Sequence, residues 1–248
     1  MQKMLSLMRR AVDDYHMIEA GDRICVGVSG GKDSLTLLRV LHALSRFYPK
    51  PFTVAAATID LGLGADYSPI EQLCQELEIP FLLKQTDIGP LLFDIRKEQN
   101  PCSLCAKMRR GALGDAAKEL GCHKVALGHH NDDVVETFFL SLYYEGRLSC
   151  FQPVTYLSRS EITQIRPMVY MSESMVRGFA RRMNLPVVHN PCPANGNTKR
   201  QYIKEHIAQL NRENHGVKQR VFGALQRSGL CGWGCDNLFR PDPNEPSE

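Results

Sequence analysis

The sequence predicts an α/β protein, a parallel sheet of about five strands with helices on both faces, preceded by an N-terminal helix and followed by a small helical appendage. Two observations predict it. Short apolar runs ending in Gly, Asp or Pro alternate with segments whose apolar residues recur at helical spacing, the pattern of repeated strand–helix units. The first of these runs also ends in Ser29-Gly30-Gly31-Lys32-Asp33-Ser34, a glycine turn between a buried strand and an amphipathic helix, a position suited to phosphate.

The elements follow in order. Residues 1–20 begin "MQKMLSLMRRAVDDYHMI", with apolar residues at near-helical spacing, charges throughout and neither a long apolar stretch nor a cleavage site, so they read as a packed helix and not as a leader. "RICVGV" (23–28) is a continuous apolar strand, and Leu37, Leu38, Leu41 and Leu44 share one face of the helix after it. "FTVAAATID" (52–60) is the second strand. A helix over 67–78 carries Ile70, Leu73, Cys74 and Leu77 at i, i+3, i+4 and i+7. "IPFLLK" (79–84) is the third strand and, after a long excursion, "HKVALG" (123–128) is the fourth. The helix from Asn131 is expected to bury Val135, Phe138, Phe139 and Leu142. "EITQIRP" (161–167) is the fifth strand, before a helix over 172–184. Beyond Pro191 come two helices, about 198–212 and 216–227, then a Gly/Cys knot and a Pro-rich acidic tail. The expected organisation is an N-terminal helix (1–20), an α/β domain (21–190), a basic helical appendage (191–235) and a disordered acidic tail (236–248).

Composition narrows the class of protein. Of 248 residues, 43% are hydrophobic and 23% charged, and no apolar run approaches the length of a membrane span. A cytoplasmic protein without membrane contact is expected. Nine cysteines, an odd number, argue against a fully paired disulfide scaffold and for some that hold another group. Residues 146–240 carry fourteen Lys and Arg against five Asp and Glu, so a polyanion would bind there; a solvated helical surface explains the same excess equally well.

The glycine turn fails the Walker A pattern twice: Val26 stands where its first glycine would fall, and Asp33 where Ser or Thr would follow the lysine. It still suits phosphate, since two glycines let backbone N–H groups approach oxygens, the helix start adds its dipole, Ser29 and Ser34 donate hydrogen bonds and Lys32 adds charge. An aspartate beside phosphate is repulsive unless a divalent cation bridges them, so Asp33 suggests Mg²⁺, with a helix N-cap as the alternative. In "PCSLCAKMRRGAL" (101–113), Cys102 and Cys105 lie one turn apart at a helix start and can reach one metal or cluster; zinc and a redox dithiol compete with an iron–sulfur cluster at this point. "ALGHHNDDVVET" (126–137) sets two histidines and two aspartates at the end of the fourth strand, where the carboxylates hold Mg²⁺, move a proton or cap the helix.

The string from Ser29 to Ser34 resembles the PP-loop, S-G-G-x-D-S, of the ATP-pyrophosphatase superfamily. That resemblance implies an adenine-nucleotide α-hydrolase-like sheet in the order 3-2-1-4-5 and cleavage of ATP between its α and β phosphates. Taken together, "GVSGGKDSL", "CSLCAKMRRG", "GHHNDDVVET" and "IRPMVY" resemble, in this order and spacing, the tRNA 2-thiocytidine synthetases called TtcA, over residues 8–192. This implies that Cys102, Cys105 and Cys192 ligate a [4Fe–4S] cluster. It further implies that Ser29, Gly30, Gly31, Lys32, Asp33, Ser34, Gly128 and His129 bind ATP, with adenine against the backbone from Ala57 to Asp60. Lys32, Asp33 and one of Asp132 and Asp133 are the implied catalytic groups, with Mg²⁺.

The implied reaction adenylates the C2 oxygen of a tRNA cytidine and replaces it with sulfur. The implied partners are a tRNA anticodon loop, a sulfur donor such as a cysteine desulfurase, and a second copy of the chain. Arg109, Arg110, Arg147 and Arg166 are candidate phosphate contacts. Where many such sequences carry a second C-x-x-C this one has "CPAN", and "CGWGC" (231–235) falls outside the pattern; Cys231 and Cys235 read as a redox pair, persulfide carriers, zinc ligands or part of a turn propped by Trp233. The rival readings are a tRNA 2-thiouridine synthetase, a zinc-containing PP-loop ligase with an amine nucleophile, and a nucleotide-binding protein without turnover.

Overall fold

The computed structural model describes residues 1–96, 101–189, 191–192 and 199–234. One sheet runs in the order β3-β2-β1-β4-β6-β5, formed by β1 Arg23–Gly27, β2 Thr53–Asp60, β3 Phe81–Gln85, β4 Lys124–Ala126, β5 Val154–Leu157 and β6 Ile162–Ile165. The first four and β6 pair in parallel, and they are the five strands legible in the sequence, in the expected order. The addition is β5, an edge strand antiparallel to β6. It carries no apolar run because an edge faces solvent; Tyr156 is 64% exposed.

Residue alternation divides two cores. Ile24, Val26, Val54 and Ala56 face the larger one, shared with α1 Gln2–Asp14, α2 Lys32–Ser45, α3 Ser68–Glu76 and, farther along the chain, Glu173–Arg182. Cys25, Ala55, Ala57, Ile59 and Val125 face the other way. They meet the one-turn α4 Ile88–Pro90, its π-helical continuation Leu91–Ile95, and α5 Pro101–Glu119. At the end of β1, Leu113 of α5 packs closely over Gly27, where an added Cβ would lie 2.8 Å from its Cδ2.

The helix from Asn131 departs from its expected face. α6 Asn131–Leu140 buries Val134 and Val135 and half-buries Phe138 and Phe139, but it continues as a π-turn, Ser141–Glu145. The extra residue in that turn rotates Leu142 away from the core, leaving it 37% exposed.

After α7 Glu173–Arg182, α8 Lys199–Glu213 and α9 Val217–Ser228 bring Ile203, Ile207, Phe222 and Leu225 into the larger core. Trp233, set beside a tail turn in the sequence reading, is fully buried there; its indole N–H donates to Phe151 O at 2.9 Å. The expected acidic tail and Cys235 lie outside the described residues, as does the side chain of Cys231. Among the described residues no helix is long and apolar enough to cross a membrane.

Candidate active site

The loop after β1 is fixed from both ends. Val28 N–H donates to Ala57 O and Thr58 Oγ1 donates to Val28 O, each at 2.8 Å. Ser29 N–H donates to Ser34 Oγ (3.1 Å), and Ser34 Oγ donates to Gly31 O (3.0 Å), so the turn closes on the first residues of α2. Gly30 is required twice over: its φ is +83°, and an added Cβ would lie 2.9 Å from Val188 Cβ. Val188 N–H donates to Gly30 O at 3.0 Å. Gly31 caps α2 with no side chain, which leaves the first amides of the helix for an anion.

Lys32 Nζ lies 3.0 Å from Asp33 Oδ2 and 3.3 Å from Glu173 Oε1. Burial lowers its pKa, but the two carboxylates outweigh that and raise it, so it is firmly charged. Burial alone would raise the pKa of Glu173; Lys204, at 2.9 Å, and Lys32 hold it instead at about 2.

The β4–α6 junction presses against this loop. A Cβ on Gly128 would lie 3.0 Å from the carbonyl carbon of Asp33 and would press the loop backbone outward. His130 then caps α6: Asp133 N–H donates to His130 Nδ1 (3.4 Å) and His130 N–H donates to Asp133 Oδ2 (2.9 Å). That role leaves the ring proton on Nε2, which lies 3.7 Å from Asp33 Oδ1. Asp33 Oδ1 is itself buried with no hydrogen-bond partner, an orphaned carboxylate oxygen that suits a divalent cation.

The two adjacent aspartates diverge. Asp132 is buried; its Oδ2 accepts from Glu173 N–H (2.7 Å) and its Oδ1 from Lys218 Nζ (2.6 Å). Burial raises its pKa, but these donors prevail and lower it. Asp133 lines the cavity, with Arg200 at 3.6 Å from its Oδ1.

A cavity of about 540 Å³ opens over the carboxyl ends of β1, β2, β4 and β6, where ligands bind in open α/β sheets. It gathers Ser29, Asp33, Ser34, Ala57, Gly128, His129 and Asp133, together with Ala106, Arg109 and Arg110 of α5 and Gln164 and Arg166 of β6 and its end. Gly30, Gly31, Lys32, Asp60 and Asp132 are not among its lining residues. Asp60 instead closes a turn, accepting from Gly62 N–H at 3.0 Å. Arg147 is exposed outside the cavity. Sequence reasoning missed Glu173, Arg200 and Glu136, which organise the charges around Lys32 and Asp133; the only signal was the acid in the first turn of α7 after Ser172. The basic C-terminal helices are partly engaged inside the protein, through Arg200, Lys204 and Lys218.

Cys105 directly precedes Ala106 on the cavity wall. Burial pushes its thiol pKa up; the Arg109 charge opposes this, and Cys192 and Cys102 add to it. Cys102 is exposed, and Cys105 and Cys192 are half-buried. Among the described residues, no three His, Cys, Asp or Glu side chains are drawn together as a closed metal site.

The fold and the loop define a class: α/β proteins that hold a nucleotide phosphate on a glycine turn after the first strand. Residues 3–211 match the family model described as PP-loop domain. The tRNA-cytidine(32) 2-sulfurtransferase of Geobacter sulfurreducens is 39% identical over 228 residues, covering 90% of this chain and 89% of that one. The enzyme of the same name from Syntrophotalea carbinolica is 38% identical, covering 90% and 88%. Among solved structures, the U34-tRNA thiolase NcsA from Methanococcus maripaludis, with its [4Fe-4S] cluster, shares the fold at a TM-score of 0.71 and 24% identity, covering 87% of this chain and 75% of that one. The chain belongs to the PP-loop family and, within it, to the tRNA-cytidine 2-sulfurtransferases.

Proposed function

We propose that this protein is an ATP-dependent tRNA thiolase that converts a cytidine of the anticodon loop to 2-thiocytidine. The observation that carries the reading is the cavity, which joins the phosphate loop, through Ser29, Asp33 and Ser34, to the helix turn that follows Cys105. The loop that would activate an oxygen and the helix that carries Cys102 and Cys105 thus border one space, through Ala106.

The C2 oxygen attacks the α-phosphorus, the bond to pyrophosphate breaks, and AMP is left on the base. Sulfur then forms a bond to C2 as the C2–O bond breaks and AMP departs. Oxide is a poor leaving group from an aromatic base and AMP a good one, which is why activation comes first. Lys32 and the open amides of α2 stabilise charge on the departing pyrophosphate. Asp33 and Asp133 are the carboxylates for Mg²⁺ or the proton, while Asp132 is held as a structural group by Lys218 and the α7 amide. The adenine lies against Ala57 and Ile59.

Cys102, Cys105 and Cys192 would hold a [4Fe–4S] cluster, for which three soft thiolate donors are suited; when bound, it supplies a soft site for handling sulfur. The sulfur comes from a donor such as a cysteine desulfurase.

Mass spectrometry of tRNA nucleosides from a strain lacking the protein tests the reading. Loss of 2-thiocytidine is expected. Loss of a thiouridine alone would assign a uridine substrate, and an unchanged profile would refute thiolation. Anaerobically purified protein is expected to contain iron that is lost in Cys102→Ser; stoichiometric zinc without iron would point to an amine-using ligase.

A further inference from the structure

Arg166 is a buried cation whose guanidinium donates only to neutral acceptors among the described residues. It is 6% exposed, and its guanidinium donates from Nη1 to Gln152 O (2.6 Å) and Thr155 Oγ1 (3.2 Å) and from Nη2 to Gln164 Oε1 (3.4 Å). It sits over the Phe151 ring, 5.0 Å from the centroid. Among the described residues no carboxylate forms an ion pair with it, and its Nε is buried without a hydrogen-bond partner. A desolvated charge in this state is costly unless an anion completes it.

Its surroundings favour that anion. His129 also packs on Phe151, with ring centroids 4.8 Å apart and the planes tilted by 35°, and its Nδ1 is likewise buried and unpartnered. Burial and then the Arg166 charge lower the His129 pKa to about 4, so the histidine is neutral at neutral pH and adds no competing charge. Both residues line the cavity together with Ser29, Asp33 and Ala57. In the phosphate loop, by contrast, Lys32 already has Asp33 and Glu173 beside it.

We infer that Arg166 anchors the phosphate of the nucleoside monophosphate half of ATP, the half that remains in the cavity as AMP after pyrophosphate leaves. This rests on the ATP-dependent reading above. The loop, with the α2 amides, takes the pyrophosphate half. Arg166 holds the α-phosphate during attack and the phosphate of AMP as it departs, where its oxygen gains charge on cleavage from C2. A fixed cation acts on that developing charge without reorganising.

Calorimetric titration of AMP, adenosine and pyrophosphate into the wild-type protein, Arg166→Gln and Arg166→Lys tests the assignment. Wild type is expected to bind AMP about ten- to a hundredfold more tightly than adenosine, the range for a charge-assisted hydrogen bond. Arg166→Gln is expected to lose most of that ratio while keeping its adenosine and pyrophosphate affinities, which also shows that the cavity is folded. Arg166→Lys, with the charge retained, is expected to keep part of the ratio even if the glutamine variant fails to fold. An unchanged AMP-to-adenosine ratio in Arg166→Gln overturns the assignment, as does a loss that falls on pyrophosphate, or on tRNA affinity alone, which would mark a tRNA backbone phosphate as the anion. If wild type binds AMP, adenosine and pyrophosphate but thiolates no tRNA, the functional reading fails while the phosphate anchor stands.

Discussion

The phosphate loop with the residues behind it and the α5–β6 side of the cavity are built on opposite electrostatic plans. On the loop side nearly every charge has a partner: Lys32 with Asp33 and Glu173, Lys204 with Glu173, Lys218 with Asp132, and Arg200 with Asp133 and Glu136. On the α5 and β6 side, Arg109, Arg110 and Arg166 line the space with no carboxylate paired to them among the described residues. The first network is paired within the protein, whereas the second side carries positive charge with no carboxylate partner, which favours an anion in the cavity.

The largest test of this contrast is Lys32→Ala, which leaves Asp33 without its lysine and removes the charge beside the phosphate loop, while Glu173 keeps Lys204. Pyrophosphate release is expected to fall about 10²–10³-fold, the scale of removing one preorganised charge-stabilising group. Asp132→Asn and Asp133→Asn then separate structure from chemistry within the first network. Asp132→Asn deprives Lys218 of its anion and is expected to lower stability by about 1–3 kcal/mol in urea denaturation. Asp133→Asn is expected to change stability less and pyrophosphate release more. Equal effects of the two variants on both readouts would erase the distinction.

The smallest effect is the pH dependence of the charge network. Glu173 is held at about 2, below its ordinary 4.5, so it contributes stability that is fully present above about 4.5 and is lost as pH falls through about 2. The stability advantage of wild type over Glu173→Gln, measured by denaturation at each pH, is expected to shrink between about pH 5 and pH 2. A constant difference over that range would place the stabilisation elsewhere.

Much of the fold was legible because buried parallel strands advertise themselves as continuous apolar runs, as in "RICVGV" and "FTVAAATID". The edge strand at Val154–Leu157 and the exposure of Leu142 were not, since one faces solvent and the other follows a π-turn that local periodicity does not encode. Within the site, the string Ser29 to Ser34 marked its own position. Adjacent residues with the same chemistry were harder: the capping box with His130 engages Asp133 locally, but the fate of Asp132 is decided by Lys218 and the amide of Glu173, 86 and 41 positions away. Arg166 was legible as a basic residue but not as a buried one, because its neutral cage is assembled from the β5–β6 hairpin.

Trp233 ties the two ends of the sequence together. Its ring meets Tyr15 at 5.8 Å, Phe222 at 5.5 Å and Phe151 at 6.3 Å. During synthesis every strand of the sheet leaves the ribosome before this indole does, so the sheet can assemble while the larger core still has a gap at its aromatic end. That gap closes only once residue 233 has been made. A chain stalled before it presents Tyr15, Phe151 and Phe222 without their common partner, an exposed apolar surface of the kind chaperones and proteases recognise.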